Sequence, residues 1–230
     1  MTKETDVTTP RQEYSDILPS VTKNRLAVAG QRAVRAAGTN CLTPLASMMC
    51  SSTYDQNNGG WNTTYHSTMT TEGKAKYKKY LDNAYFYGAT GRTVTGLGGL
   101  ISSKKPVKDI PIAVEYMDEN VNGKGQTLRD FSDDVVNEAL VSVWSGILVA
   151  SPTTPERSSK LDEEKQNLRP KLLHYKFESI INWDYEVINN EEKLSLLVLK
   201  EITTTRKGFA VESNPQYRVL ELIDNVYHQS

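Results

Sequence analysis

The chain is poor in the residues that most metal and thiol chemistry requires. It has two cysteines and three histidines in 230 residues. Cys41 and Cys50 are not spaced as a CxxC pair, and no histidine stands at metal-ligand distance from them, which argues against a zinc or redox motif. They read as reduced, partly buried thiols, suited to a reducing cytoplasm. His66, His174 and His228 are scattered, and no HExxH pattern occurs. No serine or cysteine has a recognisable His/Asp partner context for nucleophilic catalysis. Apolar runs fall well short of the roughly 18 residues that span a bilayer. The opening MTKETDVTTP lacks the basic start and apolar centre of a secretory signal. Asn62-Thr63-Thr64 is therefore a glycosylation sequon by pattern only.

Charge of one sign is also lacking overall, with a net of −1, but locally it is not balanced. Residues 11–108 carry 13 Lys+Arg against 5 Asp+Glu, a net of +8, and residues 109–155 carry 2 against 8, a net of −6. Such a pair of segments suits a nucleic-acid surface, or subunits that meet head to tail through opposite patches. The low total charge argues against a dedicated DNA-binding domain.

The hydrophobic patterning reads as helices first and strands after, an α+β fold. Residues 1–10 read as a disordered tail and 11–151 as a mainly helical region. That region includes helical spacing over Glu13–Ala37, with a break expected at Pro19 and a stop at Gly38. Leu18, Val21, Leu26, Val28 and Val34 supply its apolar positions, and Arg25, Arg32 and Arg35 its solvated ones. The Ser-, Thr-, Asn- and Gly-rich stretch 51–70 reads as a long loop. A helix is expected from residue 72, turning glycine-rich near Gly88. Another is expected over about Thr127–Ser145, capped by Thr127 with Asp130 and followed by a strand at 147–151. Residues 152–170 read as a linker and 171–224 as an antiparallel sheet, with turns at Asn189-Asn190 and Asn214-Pro215 and a tail at 225–230.

Two motifs invite chemistry and fail in detail. Gly91–Gly99, GRTVTGLGG, has no Lys-Ser/Thr after its last glycine, and Ile101 stands where a dinucleotide fingerprint needs its third glycine. Close helix packing is the better reading. DENVNG at 118–123 matches half of a calcium loop, but its twelfth position is Arg129 rather than a bidentate Glu. It reads as an Asx/Gly turn. The cations that remain as candidates for contact with DNA or a neighbouring subunit are Lys74, Lys76, Lys78, Lys79, Arg92, Lys104 and Lys105. The first four alternate with Tyr77 and Tyr80, which could add aromatic support at a phosphate. An ordinary solvated helix face is the simpler reading.

Three longer stretches, in order, carry a resemblance. YLDNAYFYGATGRTVTGLGGLISSKKP (80–106) resembles an aromatic helix, ATGRT segment and basic-proline end found near the start of tailed-phage portal proteins. MDENVNGKGQTLRDFSDDVVNEALVSVWSGILVASP (117–152) is similar to that family's turn, long helix and strand. RPKLLHYKFESIINWDYEVINNEEKLSLLVLKE (169–201), with QYRVLEL (216–222), is similar to its strand pair and closing strand. The resemblance spans about residues 11–224. It implies a non-enzymatic, cofactor-free subunit of a portal ring, usually a dodecamer, at one capsid vertex of a virion assembled in the host cytoplasm. The implied partners are further copies of the chain, capsid protein, terminase, head-tail adaptors and double-stranded DNA passing through without sequence preference, with no membrane. Portals are usually longer, so the chain would represent the N-terminal, wing-like part. The other readings are a head-tail connector or adaptor and, further off, a nucleotide-binding enzyme using Gly91–Gly99.

Overall fold

The computed structural model describes residues 6–57, 59–104, 106–152 and 168–230. The fold is α+β, with helices in the N-terminal part and a four-stranded antiparallel sheet at the C-terminal end. The chain divides into two compact units, Thr22–Gly96 and the remainder on either side of it.

Helix α1 is Gln12–Ala29 and α2 is Gln31–Ala36. Their separation falls at Gly30, with φ 85°, and not at Pro19, which lies inside α1. The proline removes one N–H on an exposed turn, where water can take the freed carbonyl, whereas a left-handed φ ends an α-helix outright. Nor is Arg35 a solvated residue: its Nε and Nη2 donate to Ala84 O at 3.0 and 2.6 Å.

The stretch 51–70 is not a loop but a hairpin, β1 (Cys50–Asp55) antiparallel to β2 (Gly60–Tyr65). Cross-strand hydroxyls hold it, Ser52 Oγ to Thr63 Oγ1 at 3.1 Å. Helix α3, Thr71–Asn83, starts where Thr70 Oγ1 accepts from Gly73 N at 2.9 Å. A Cβ on Gly73 would lie 1.8 Å from Met48 O, so only glycine fits there. Helix α4, Ala89–Ile101, is the glycine-rich segment.

The other unit is built on strands. Helix α5, Leu128–Val141, is shorter than its periodicity suggests. Its cap is as expected, Thr127 Oγ1 accepting from Asp130 N at 3.1 Å. Ser142 is extended, so Val143 and Ile147 lie outside the helix, and Ile147 belongs to β3 (Gly146–Ala150). Strand β3 pairs antiparallel with β4 (Lys171–Tyr175). The four-stranded sheet runs β5 (Ile180–Ile188), β6 (Glu191–Lys207), β7 (Ala210–Ile223), β8 (Val226–Gln229), each strand antiparallel to the next. Asn189 and Asn190 make the expected turn, both with positive φ. Asp224 and Asn225 do the same, so residues 226–229 are a strand and not a tail. Asn214-Pro215 is no turn: both lie within β7, opposite Thr203 and Ile202. The reversal is at Gly208-Phe209, with Gly208 at φ 64°.

Two buried clusters lie on the two faces of this sheet. Tyr14 and Val21 of α1, with Phe177, cover Ile181 and Val198 on one face. Tyr175 packs with Ile180 and Leu199 on the other. Trp144 and Trp183 border both, with ring centroids 4.9 Å apart. Phe177 is fully buried, stacked on Tyr14 at 5.2 Å and tilted against Trp144 at 4.5 Å.

Candidate functional site

The basic residues singled out in the sequence fall in both units. Lys74, Lys76, Lys78 and Lys79 lie on α3 and Arg92 on α4, all five residues within Thr22–Gly96, whereas Lys104 lies in the other unit. Lys105 is outside the described residues. On α3 the four lysines are exposed, and Lys76 pairs with Glu72 one turn before it at 2.8 Å. That contact lowers the Glu72 carboxyl and raises the Lys76 ammonium from their ordinary values. The tyrosines between them do not form a stacking platform. Tyr77 is buried, with its hydroxyl donating to Leu42 O at 2.6 Å, and Tyr80 is half-buried beside it. The helix thus offers point charges without aromatic support. Arg92 does have such a neighbour, lying 5.4 Å from the Tyr87 ring centroid. Lys104 lines a small, mostly apolar cleft with Arg129, Leu128 and Val136. Arg129 Nη2 donates to Ser102 O at 2.9 Å, and Ser102 Oγ to Asp133 Oδ1 at 2.6 Å.

Gly91–Gly99 lies within α4, so its N–H groups are not splayed toward a phosphate as a nucleotide loop requires. Two of its glycines permit close approach. A Cβ on Gly91 would meet Val28 O at 2.7 Å, and one on Gly98 would meet Asn137 Oδ1 at 2.8 Å. Residues 118–125 fold as an Asx/Gly turn: Asn122 Oδ1 accepts from Lys124 N and Asn120 Oδ1 from Gly125 N, each at 2.8 Å, with Gly123 and Gly125 at positive φ. Asn120 and Asn122 thus each accept an amide of the loop, and Asp118 is paired with Lys108. His174 packs edge-on to Phe131, and burial holds its pKa below the ordinary histidine value.

The most distinctive surface is one that composition did not indicate. Beyond Leu199, β6 and β7 leave the sheet as a two-stranded arm. Pairing with β5 ends at Leu199, and pairing with β8 begins at Leu220. The root of the arm is clamped. Tyr175 Oη donates to Glu201 Oε1, which also accepts from Arg218 Nε at 2.9 Å, and Arg218 Nη1 reaches Gln229 Oε1 at 3.0 Å. Burial and the bond to Glu201 drive the Tyr175 phenol pKa upward. Every residue from 202 to 216 is exposed.

The register sorts the arm into two unlike faces, because directly opposed residues project on the same side. One face carries Ile202 opposite Pro215, Thr204 opposite Ser213 and Arg206 opposite Val211. The other carries Thr203 opposite Asn214, Thr205 opposite Glu212 and Lys207 opposite Ala210. The first is the continuation of the face that α1 covers at Val198 and Val219. It is the more apolar of the two, with Ile202, Val211 and Pro215 among Thr204, Ser213 and Arg206, and it is uncovered: Ile202 is 71% exposed, Val211 64%, and Phe209 at the tip completely so. The sequence signal for it was Gly208, a turn residue inside a run of strand formers.

A second exposed surface lies in the same unit at 106–119, where a 3-10 helix covers Ile112–Asp118. Ile112 is 90% exposed, and Asp109, Glu115 and Glu119 lie at the surface around it. Lys108 pairs with Asp118, and Tyr116 Oη donates to Pro170 O at 2.9 Å. Among the described residues no group of His, Cys, Asp and Glu is arranged to hold a metal ion. No family model matches the chain, and no curated protein matches it.

Proposed function

We propose that this chain is a structural subunit of a closed ring rather than a catalyst. A ring built by one rotation needs two different surfaces on each copy that fit each other and not themselves. The observation that carries this reading is the arm, two strands that run past their own core with an apolar face uncovered. A lone two-stranded ribbon is at best marginally stable in water, so a neighbouring surface is its natural complement.

The particular ring we infer is the portal of a tailed bacteriophage. It sits at one capsid vertex, passes DNA during packaging and ejection, and docks terminase and head-tail adaptors. Support comes from the three resembling stretches, in order along the chain. They fold as α4 with the segment before it, as the 118–125 turn with α5 and β3, and as β4, β5 and parts of β6 and β7. Lys74, Lys78 and Lys79 are candidates for contact with acidic groups of a neighbour or with phosphate. Negative-stain electron microscopy of the purified protein tests the proposal. Closed rings of about a dozen copies around a central hole are expected. Monomers at every ionic strength would overturn it.

A further inference from the structure

We infer that the apolar face of the β6–β7 arm docks on the 106–119 segment of a second copy of this chain. The inference rests on the ring-subunit reading and names the surfaces through which adjacent copies would meet. Both surfaces are uncovered at once in the folded chain, with Ile202 and Ile112 each mostly exposed, so neither is the other's cover within one molecule.

Charge selects the partner. The apolar arm face carries two cations, Lys200 at its root and Arg206 near its tip, and no acid. The acid nearest the tip, Glu212, is on the other face and is paired with Lys207 at 2.7 Å. Around Ile112 the chain presents mainly the reverse, the exposed acids Asp109, Glu115 and Glu119; of the two nearby cations, Lys108 is engaged by Asp118 and Arg169 lies over the Tyr116 ring, 4.8 Å from its centroid. None of these three acids has a salt bridge among the described residues. Apolar side chains flanked by cations on one surface meet apolar side chains flanked by acids on the other. Like surfaces would repel, which disfavours an arm-to-arm contact and favours an arm-to-segment contact between copies. The arm spans roughly 20 Å from Ile202 to its turn at the rise of an extended strand, long enough to lie along the 106–119 segment.

The test is sedimentation of the full chain over a dilution series, after nuclease treatment, with thermal unfolding followed in parallel. Substituting Asp for both Ile202 and Val211 is expected to weaken self-association about thirtyfold or more, as for a central apolar anchor. Arg206→Glu and Glu115→Arg are each expected to weaken it about tenfold, and the chain carrying both to regain most of the loss. Because all four positions are exposed, the unfolding midpoint measured at dilutions where the wild type is monomeric should not move, which separates lost docking from lost folding. If the wild-type chain forms rings and the arm variants form them equally well, this docking is wrong while the ring reading stands. If the arm variants abolish association of a wild type that forms dimers or open chains, the docking stands and the closed ring does not. A double charge swap no better than its parents overturns the choice of 106–119. Association that disappears with nuclease overturns it in favour of nucleic acid. A wild type that stays monomeric overturns both.

Discussion

Strands β6 and β7 have a covered half and a bare half, joined without a break in register. From Leu194 to Leu199, β6 lies under α1 and Phe177 on one face and against β4 on the other, and Val198 and Leu199 are almost wholly buried. From Ile202 to Lys207 the same strand, with the same alternation and partner, is exposed throughout. The boundary is the Tyr175–Glu201–Arg218 clamp, where the cover on the second face ends. What differs between the halves is the cover and the side chains, Leu-Ser-Leu-Leu-Val-Leu over 194–199 against Ile-Thr-Thr-Thr-Arg-Lys over 202–207, and not the backbone. Apolar burial contributes about 25 cal/mol per Å² wherever a cover exists. In the outer half that contribution is still to be made, and a neighbour can make it.

The largest expected contrast comes from truncating one side chain in each half. Leu199→Ala should lower unfolding stability by about 2–5 kcal/mol, through lost burial and the cavity left behind. Urea titration measures it, and a cost near zero would mean that the inner half is not the core. The strand that covers the inner half, β4, should also make the fold sensitive to acid through His174. Burial depresses the His174 pKa in the folded chain, outweighing the opposite pull of Glu138 and Asp134. The unfolded chain therefore binds a proton more readily. The stability His174 contributes is complete above its unfolded value, near 6.5, and is lost as pH falls through the lower folded value. Replacing His174 with Phe should flatten the melting temperature between pH 7 and pH 5, within the range of ordinary histidine titration. The smallest effect belongs to the bare half: Ile202→Ala should change monomer stability by no more than about 0.5 kcal/mol. A large loss there would show that the arm is already part of its own subunit's core.

The contrast also marks what the sequence could convey. Signals that act over a few residues were legible: the Thr127 cap, the Asn189-Asn190 turn, the β3 strand and the α+β order of elements. Those that compete locally were not. Pro19 reads as a helix breaker, yet the left-handed φ of Gly30 makes the break. Asn214-Pro215 reads as a turn, yet it is carried inside β7, where the outer edge next to Pro215 has no partner strand to bond. The 51–70 stretch reads as a loop from its Ser, Thr and Gly content, although Thr53, Thr63, Thr64 and Tyr65 suit a strand. The candidate cations were legible as exposed charge, except Lys105, which is outside the described residues. Helical spacing already sets Tyr77 and Tyr80 on one side with Leu81 and Ala84, but the hydrogen bond that holds Tyr77 was not legible, because it depends on the carbonyl of Leu42, far away in sequence. The arm was hidden for the same reason, since alternation names an apolar face but not whether anything covers it.

The most direct test of the arm as a surface completed by a neighbour is amide hydrogen exchange, comparing dilute monomer with assembled protein. The expected result is that amides over 194–199 are protected in both, while those over 202–216 exchange quickly in the monomer and become protected on assembly, together with 106–119. Fast exchange of 202–216 in both states would contradict the account, and so would slow exchange in both.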